Sequence, residues 1–220
     1  MSRREDGYFA EIYGALILRC FSDHLSETDV VLDYGCGAGG MEPHLLGRVA
    51  EVVGFDPSPR SVEVVTDRFG DHPRFSGAFG LDEMDSQTGR FDAVVVIEVV
   101  EHLYDPELFE LFENAMRLLK PGGVLLLTTP NQEDLSQHEL YCPECGHTYH
   151  RWQHVRSWSQ SSLAAAVSKV GFDVVSTQAT DFRAQWNYDP KRLFKRKVRA
   201  LFRGKQKNPH LVMVARRPND

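Results

Sequence analysis

No apolar run in this chain approaches the roughly 20 residues that a membrane-spanning helix needs, so no integral span is expected. Cysteine is scarce: there are four, and Cys20 and Cys36 each stand alone in the sequence. That usage excludes a secreted disulfide framework and predicts a reducing, cytoplasmic setting. An export signal is not expected either. Arg3 and Arg4 do precede the apolar stretch at 12–18, but Glu5, Asp6 and Glu11 interrupt the approach and no small-residue cleavage site follows. The chain has no internal repeat, and with 42% hydrophobic and 25% charged residues it is neither disordered nor fibrous in composition.

What is present points to one α/β domain spanning 1–220, a length that buries about 70% of the unfolded surface. Phe9, Ile12, Tyr13, Leu16, Ile17, Cys20 and Phe21 recur at three- and four-residue intervals and predict an amphipathic helix packed on the core. Apolar runs at 30–33, 51–55, 91–97 and 124–129 read as central strands. Helical patterns at 41–49, 59–69 and 106–119 lie between them, the spacing of βαβ units. Residues 74–76 read as a short edge strand, 161–170 as a helix, and 172–179 and 210–216 as later strands. Lys120-Pro121-Gly122-Gly123 stops the third helix and turns the chain. The connection at 130–156 is too long for an ordinary loop, and such loops usually carry function.

The first strand runs directly into glycines: Val30-Val31-Leu32-Asp33-Tyr34-Gly35-Cys36-Gly37-Ala38-Gly39-Gly40. Glycine there lets the backbone turn sharply and lie close to a ligand, while the following helix aims its amides at the same place. Gly35-x-Gly37-x-x-Gly40 also satisfies the dinucleotide fingerprint, and Asp56, 21 residues after Gly35, suits the ribose of any adenosine cofactor, so NAD stays open on these residues alone. The choice comes from four motifs in order: Asp33 to Gly39, Gly54-Phe55-Asp56, Phe91-Asp92-Ala93-Val94-Val95-Val96-Ile97-Glu98, and Leu119-Lys120-Pro121-Gly122-Gly123. Over about residues 28–130 the chain resembles the class I S-adenosylmethionine-dependent methyltransferases.

That resemblance implies a Rossmann-like, seven-stranded, mostly parallel sheet with helices on both faces and an antiparallel last strand at 210–216. It also implies a cofactor site: Asp33 near the methionine amino group, Gly35 and Gly37 along the methionyl and ribose region, Asp56 on the ribose, and Phe55 and Pro57 flanking the adenine. Cys36, Gly39 and Ile97 belong to the same motifs. Where many relatives have an acid for the adenine amino group, this chain has Gly77-Ala78-Phe79, so backbone groups or Asp82 would serve instead.

Glu98-Val99-Val100-Glu101-His102 follows the fourth strand; drawn as a helix start, it puts Glu98, Glu101 and His102 on one face as candidate catalytic residues. Carboxylates and imidazole there suit a divalent cation such as Mg2+, which lowers the pKa of an acceptor hydroxyl. Ubiquinone-pathway O-methyltransferases and small-RNA 2′-O-methyltransferases show a similar segment. The second group also has a histidine and a tryptophan four apart, as His154 and Trp158 are, but here Gln153 and Ser157 replace its acids. The bland reading of the segment is a helix-start acid with a supporting histidine.

Within 130–158, Cys142 and Cys145 with His150 and His154 have knuckle spacing and form a candidate structural Zn2+ set in a loop insertion; a reduced thiol pair is the alternative. His154 is claimed by both metal readings. Finally, 191–207 holds nine Lys or Arg and no acid, with Phe194, Val198, Leu201 and Phe202 on one side of a helix drawn through it. It predicts contact with an anionic membrane surface or a nucleic acid, or, as the bland alternative, a solvated helix covering the sheet, and Phe182, Trp186 and Tyr188 before it are candidates for lining an apolar acceptor pocket. The expected activity is methylation of oxygen on a small-molecule or lipid-linked acceptor. RNA 2′-O-methylation is less favoured by the acidic body, pI about 5.8, and a non-catalytic S-adenosylmethionine-binding regulator is the reading from a different class.

Overall fold

A strand covered on both faces needs apolar side chains at odd and even positions, and the central strands of this chain meet that requirement. The computed structural model describes residues 6–186 and 208–219. Helix α1 (Asp6–Cys20) precedes β1 (Val30–Tyr34), the short α2 (Glu42–Leu45), β2 (Glu51–Phe55), α3 (Pro59–Phe69), β3 (Phe75–Phe79) and β4 (Phe91–Ile97). Helix α4 (Asp105–Leu118) and β5 (Leu119–Pro130) follow. Next come the small strands β6 (Glu139–Tyr141) and β7 (Thr148–His150), then α5 (Gln160–Lys169), β8 (Asp173–Thr180), α6 (Phe182–Trp186) and β9 (His210–Arg216).

Seven strands make one sheet in the order β3-β2-β1-β4-β5-β9-β8, parallel except where β9 runs antiparallel to both neighbours. Leu32, Val53, Val94, Val96, Leu125 and Met213 point to one face, where they meet Leu108, Leu111 and Phe112 of α4 and Leu163 and Val167 of α5. The alternate residues Val31, Val52, Ala93, Val95, Leu126 and Val214 meet Leu16 and Ile17 of α1, Leu45 of α2 and Val65 of α3. Both layers are dry: Phe112 is fully buried, and truncating such a ring to alanine costs about 3–5 kcal/mol. The Rossmann-like expectation holds, with 210–216 as the antiparallel strand.

The topology also locates the site. β1 has β2 on one side and β4 on the other, so the chain reverses direction across the sheet there and opens a crevice beyond the carboxyl ends of β1 and β4. Asp33 stands at that point, in register with Gly54 on one neighbour and Val95 on the other.

Three local expectations are corrected. The helix expected over 41–49 closes at Leu45, because Gly47 follows and the Leu45 carbonyl accepts from both Arg48 N–H (2.8 Å) and Val49 N–H (3.1 Å), a tightened last turn. The edge strand is longer than 74–76, since Ala78 and Phe79 continue pairing with Gly54 and Phe55. Phe182 is fully buried against Phe9, Tyr13 and His210, so it belongs to the core, not to an acceptor pocket. Residues 191–207 and Tyr188 lie outside the described residues, as does the side chain of Trp186.

Candidate functional site

The glycine loop hangs from the end of β2. Gly35 and Cys36 both donate their backbone N–H to the Phe55 carbonyl, at 2.8 and 3.0 Å, which folds the chain over Phe55 as it leaves β1. Gly35 has φ 86° and packs against Val99, so a side chain is excluded twice over. Gly37 is different. At φ 54°, a Cβ placed there would meet nothing within 4 Å, so this turn faces open space. Its N–H donates to Asp56 Oδ2 at 3.0 Å while Ser58 N–H donates to Asp56 Oδ1 at 2.9 Å; the two bonds orient the carboxylate and leave each oxygen further acceptor capacity.

The cavity in front of this loop measures about 430 Å³, and Asp33, Gly35, Cys36, Gly37, Ile97 and Glu98 line it. Asp33 is buried, and burial raises its carboxyl well above the usual range, with the negative charge of neighbouring Glu42 adding to the effect. Glu42 is itself fully buried and its oxygens have no hydrogen-bond partner, so burial raises it too. Burial likewise pushes the Cys36 thiol up, which makes it an inert lining group. Phe55 and Phe79 pack with tilted rings 5.3 Å apart, and both are buried. Ala78 packs beside Gly54, Gly39 backs onto Phe69, and Pro57 is exposed. None of Phe55, Asp56, Pro57, Ala78, Phe79 and Gly39 is among the residues lining the cavity.

The segment after β4 is a turn and not a helix. Glu98 takes φ 53°, and α4 begins only at Asp105, so helical spacing does not govern where these side chains point. Glu98 faces this cavity, with its Oε2 3.5 Å from His210 Nδ1 and its Oε1 buried without a partner. Glu101 turns elsewhere: Thr129 Oγ1 donates to its Oε2 at 2.9 Å, and its Oε1 is buried and unpartnered. The Glu101 carboxyl is 1% exposed and is raised well above the usual range, by burial first and then by the charge of Glu98.

The loop at 130–158 closes on Glu101, whose carbonyl accepts from Val155 N–H at 2.9 Å. That contact brings Glu101, His102 and His154 together, with one ligand-type atom of each lying within 4.8 Å of the others. Glu133, His150 and His154 form a second such group. Burial would raise Glu133, but the hydrogen bond from His154 and the nearby imidazoles outweigh it and hold the carboxyl below its ordinary value. Burial, with the charge of His154, lowers His150.

The four-residue zinc set does not assemble. Cys142 and Cys145 sit at the tip of the β6–β7 hairpin, where Gly146 N–H donates to the Cys142 carbonyl at 2.8 Å and the Cys145 amide pulls the Cys142 thiol down. His150 lies at the far end of that hairpin, paired with Glu139, and faces Glu133. Among the described residues, neither cysteine joins a group of three metal-capable side chains.

The family described as Methyltransferase domain has a model that matches residues 4–177. The chain belongs to that family. Human mitochondrial ubiquinone biosynthesis O-methyltransferase is 38% identical over 113 residues, which cover 48% of this chain and 30% of the human protein. The Rhizobium etli ubiquinone biosynthesis O-methyltransferase is 33% identical over 108 residues, 46% of this chain and 41% of that one. The matched segment thus spans less than half the length of these curated relatives. Among solved structures, Burkholderia thailandensis 1,6-didemethyltoxoflavin-N1-methyltransferase, with bound S-adenosylhomocysteine, superposes with a TM-score of 0.64 at 20% identity, covering 98% of this chain and 82% of that one. An S-adenosylmethionine-dependent methyltransferase from Mesorhizobium loti gives 0.62 at 17% identity over 91% of this chain and 95% of its own. These likenesses are of fold.

In this methyltransferase domain, Asp33, Gly35, Cys36, Gly37, Ile97 and Glu98 meet at one cavity, while Glu101 and His102 group with His154. Sequence reading missed Thr129, Glu133 and Glu42. A carboxylate in the loop just past a central strand, as in Pro130-Asn131-Gln132-Glu133, was the available signal for Glu133.

Proposed function

We propose that this chain transfers the methyl group of S-adenosylmethionine to a hydroxyl oxygen of a small-molecule or lipid-linked acceptor. The observation that carries the reading is the cavity at the β1–β4 switch point, where Gly37 leaves room that any side chain would fill and the acid Asp33 lies buried at its wall. The donor chemistry fits the cofactor. Asp33 would accept from its ammonium, which offsets the burial that now raises the carboxyl, and Asp56 would accept from its ribose hydroxyls. When bound, the cofactor supplies an electrophilic methyl that needs in-line approach and exclusion of water more than covalent help from the protein.

A hydroxyl acceptor must also lose its proton, and a divalent cation held by Glu101, His102 and His154 would assist by lowering that hydroxyl's pKa. The buried, unpartnered Oε1 of Glu101 fits a cation. Two imidazoles and one carboxylate suit Mn2+, Zn2+ or Fe2+ better than the Mg2+ that a purely oxygen-rich set would favour. Glu98, beside the cofactor cavity, is the candidate proton acceptor, paired with His210. The Cys142–Cys145 pair offers two of the four ligands of a structural zinc and takes no part in this chemistry. The cationic segment 191–207 would bring the chain to an anionic membrane surface, where a lipid-linked acceptor resides.

The test is formation of S-adenosylhomocysteine by the purified full chain with catechols, phenols, their polyprenylated forms and RNA, each with and without added Mn2+. Turnover on a hydroxylated metabolite is expected. Tight cofactor binding with no product on any member of the panel would instead establish the regulatory reading.

A further inference from the structure

We infer that Glu133 is a positioning residue, its carboxylate fixing His154 in the tautomer that keeps Nε2 free for a cation shared with Glu101 and His102. The inference rests on the proposed cation site and follows from where the protons must be. The backbone N–H of His154 donates to His150 Nδ1 at 3.1 Å. A nitrogen that accepts cannot carry a proton, so the neutral His150 ring bears its proton on Nε2. That Nε2 is buried, has no hydrogen-bond partner and lies 3.7 Å from Glu133 Oε1. A protonated Nε2 is not a metal ligand, and His150 therefore leaves the ligand set and faces Glu133 as a donor.

The second imidazole follows. His154 Nδ1 is 2.5 Å from Glu133 Oε2, and an ionised carboxylate only accepts, so Nδ1 carries a proton and, in the neutral ring, Nε2 keeps the lone pair. One carboxylate thereby faces two imidazole N–H groups, His154 through Oε2 and His150 through Oε1. The rings of His150 and His154 stack at 4.7 Å and 29°, while His102 meets His154 edge-on at 4.8 Å. The overlapping groups resolve into one cation position: Glu101, His102 and His154 bind, Glu133 orients, and His150 steadies Glu133. A carboxylate behind a metal-binding histidine is the usual way to set its ring and raise its basicity.

The experiment compares the wild-type chain with Glu133→Ala and Glu133→Gln by two readouts, with folding checked by near-ultraviolet circular dichroism. Long-range proton–nitrogen spectra of the metal-free protein report the His154 tautomer, and calorimetry reports Mn2+ affinity. The inference predicts a proton on His154 Nδ1 in the wild type, loss of that single tautomer in Glu133→Ala, and about 10- to 100-fold weaker Mn2+ binding, with Glu133→Gln intermediate. Tight Mn2+ binding by the wild type that Glu133→Ala leaves unchanged, or a wild-type proton on His154 Nε2, overturns the inference alone. Absence of Mn2+ binding by the wild type overturns the cation site with it, and the tautomer signal separates the two failures.

Discussion

The glycine loop at 35–40 and the loop at 130–158, which closes on Glu101 just past β4, are built in opposite ways. In the first, contiguous residues do the work through backbone geometry: Gly35 and Cys36 hang from one carbonyl, and Gly37 turns its open side to the cavity. In the second, side chains from distant parts of the chain do it, because Glu101, Glu133, His150 and His154 meet only after β5 and the β6–β7 hairpin are in place. A cofactor shared by many acceptors suits a locally encoded cradle. Acceptor chemistry, which differs between enzymes of one fold, suits a constellation on a long loop.

Disabling the constellation is expected to leave the cradle intact, and the reverse. The largest effect is expected from His154→Ala, which removes a ligand and should weaken Mn2+ binding more than about 100-fold, beyond the loss from an outer carboxylate, while S-adenosylhomocysteine affinity stays within about twofold by calorimetry. Gly37→Val is the opposite probe. Its side chain enters the open face of the turn, so S-adenosylhomocysteine should bind about 10- to 100-fold more weakly, the equivalent of about 1–3 kcal/mol of overpacking, with Mn2+ affinity retained.

A smaller effect separates cofactor binding from stability. Asp33 has a folded pKa raised by burial, so between about pH 3.9, its unfolded value, and that raised value the folded state holds more protons than the unfolded one. Stability of the cofactor-free protein should therefore fall as pH rises through that window. Asp33→Asn should flatten the slope in urea melts and gain about 0.5–2 kcal/mol at pH 8, while weakening S-adenosylmethionine binding. The smallest effect is expected from changing Cys142 and Cys145 together to serine. With chelator present, these hairpin-tip residues should alter stability by no more than about 0.5 kcal/mol, and in separate chelator-free titrations Mn2+ affinity should be unchanged.

How far each region could be read beforehand follows the same division. The strands at 51–55, 91–97 and 210–216 coincide with the expected segments because their apolar runs are covered on both faces of the sheet and end at turn signals. β3 extends past the expected edge because Gly54, lacking a side chain, lets Ala78 pair closely, and tertiary pairing overrides the weak strand propensity of Ser76 and Gly77. The helix expected at Glu98 fails for a physical reason as well. Spacing of three and four is only a helix signal if the backbone is helical, and Glu98 leaves β4 through a left-handed turn with two β-branched valines behind it. The place of Glu133 just past β5 marks it as a candidate, but its partnership is not legible, because His150 and His154 lie 17 and 21 residues further on and nothing local reports the hairpin that returns them. The knuckle spacing of Cys142, Cys145, His150 and His154 was real in sequence, but the hairpin carries the thiols to one end and His150 to the other.

The proposal places a sulfonium cofactor at the glycine loop and a single cation held by Glu101, His102 and His154. A crystal structure with S-adenosylhomocysteine and Mn2+, with anomalous scattering recorded at the manganese edge, tests it most directly. The cofactor is expected in the roughly 430 Å³ cavity against Asp33 and Gly37, with one anomalous peak bounded by Glu101, His102 and His154 and with Glu133 outside the coordination sphere. A peak ligated by Glu133 and His150, or an empty cavity at saturating cofactor, would contradict it.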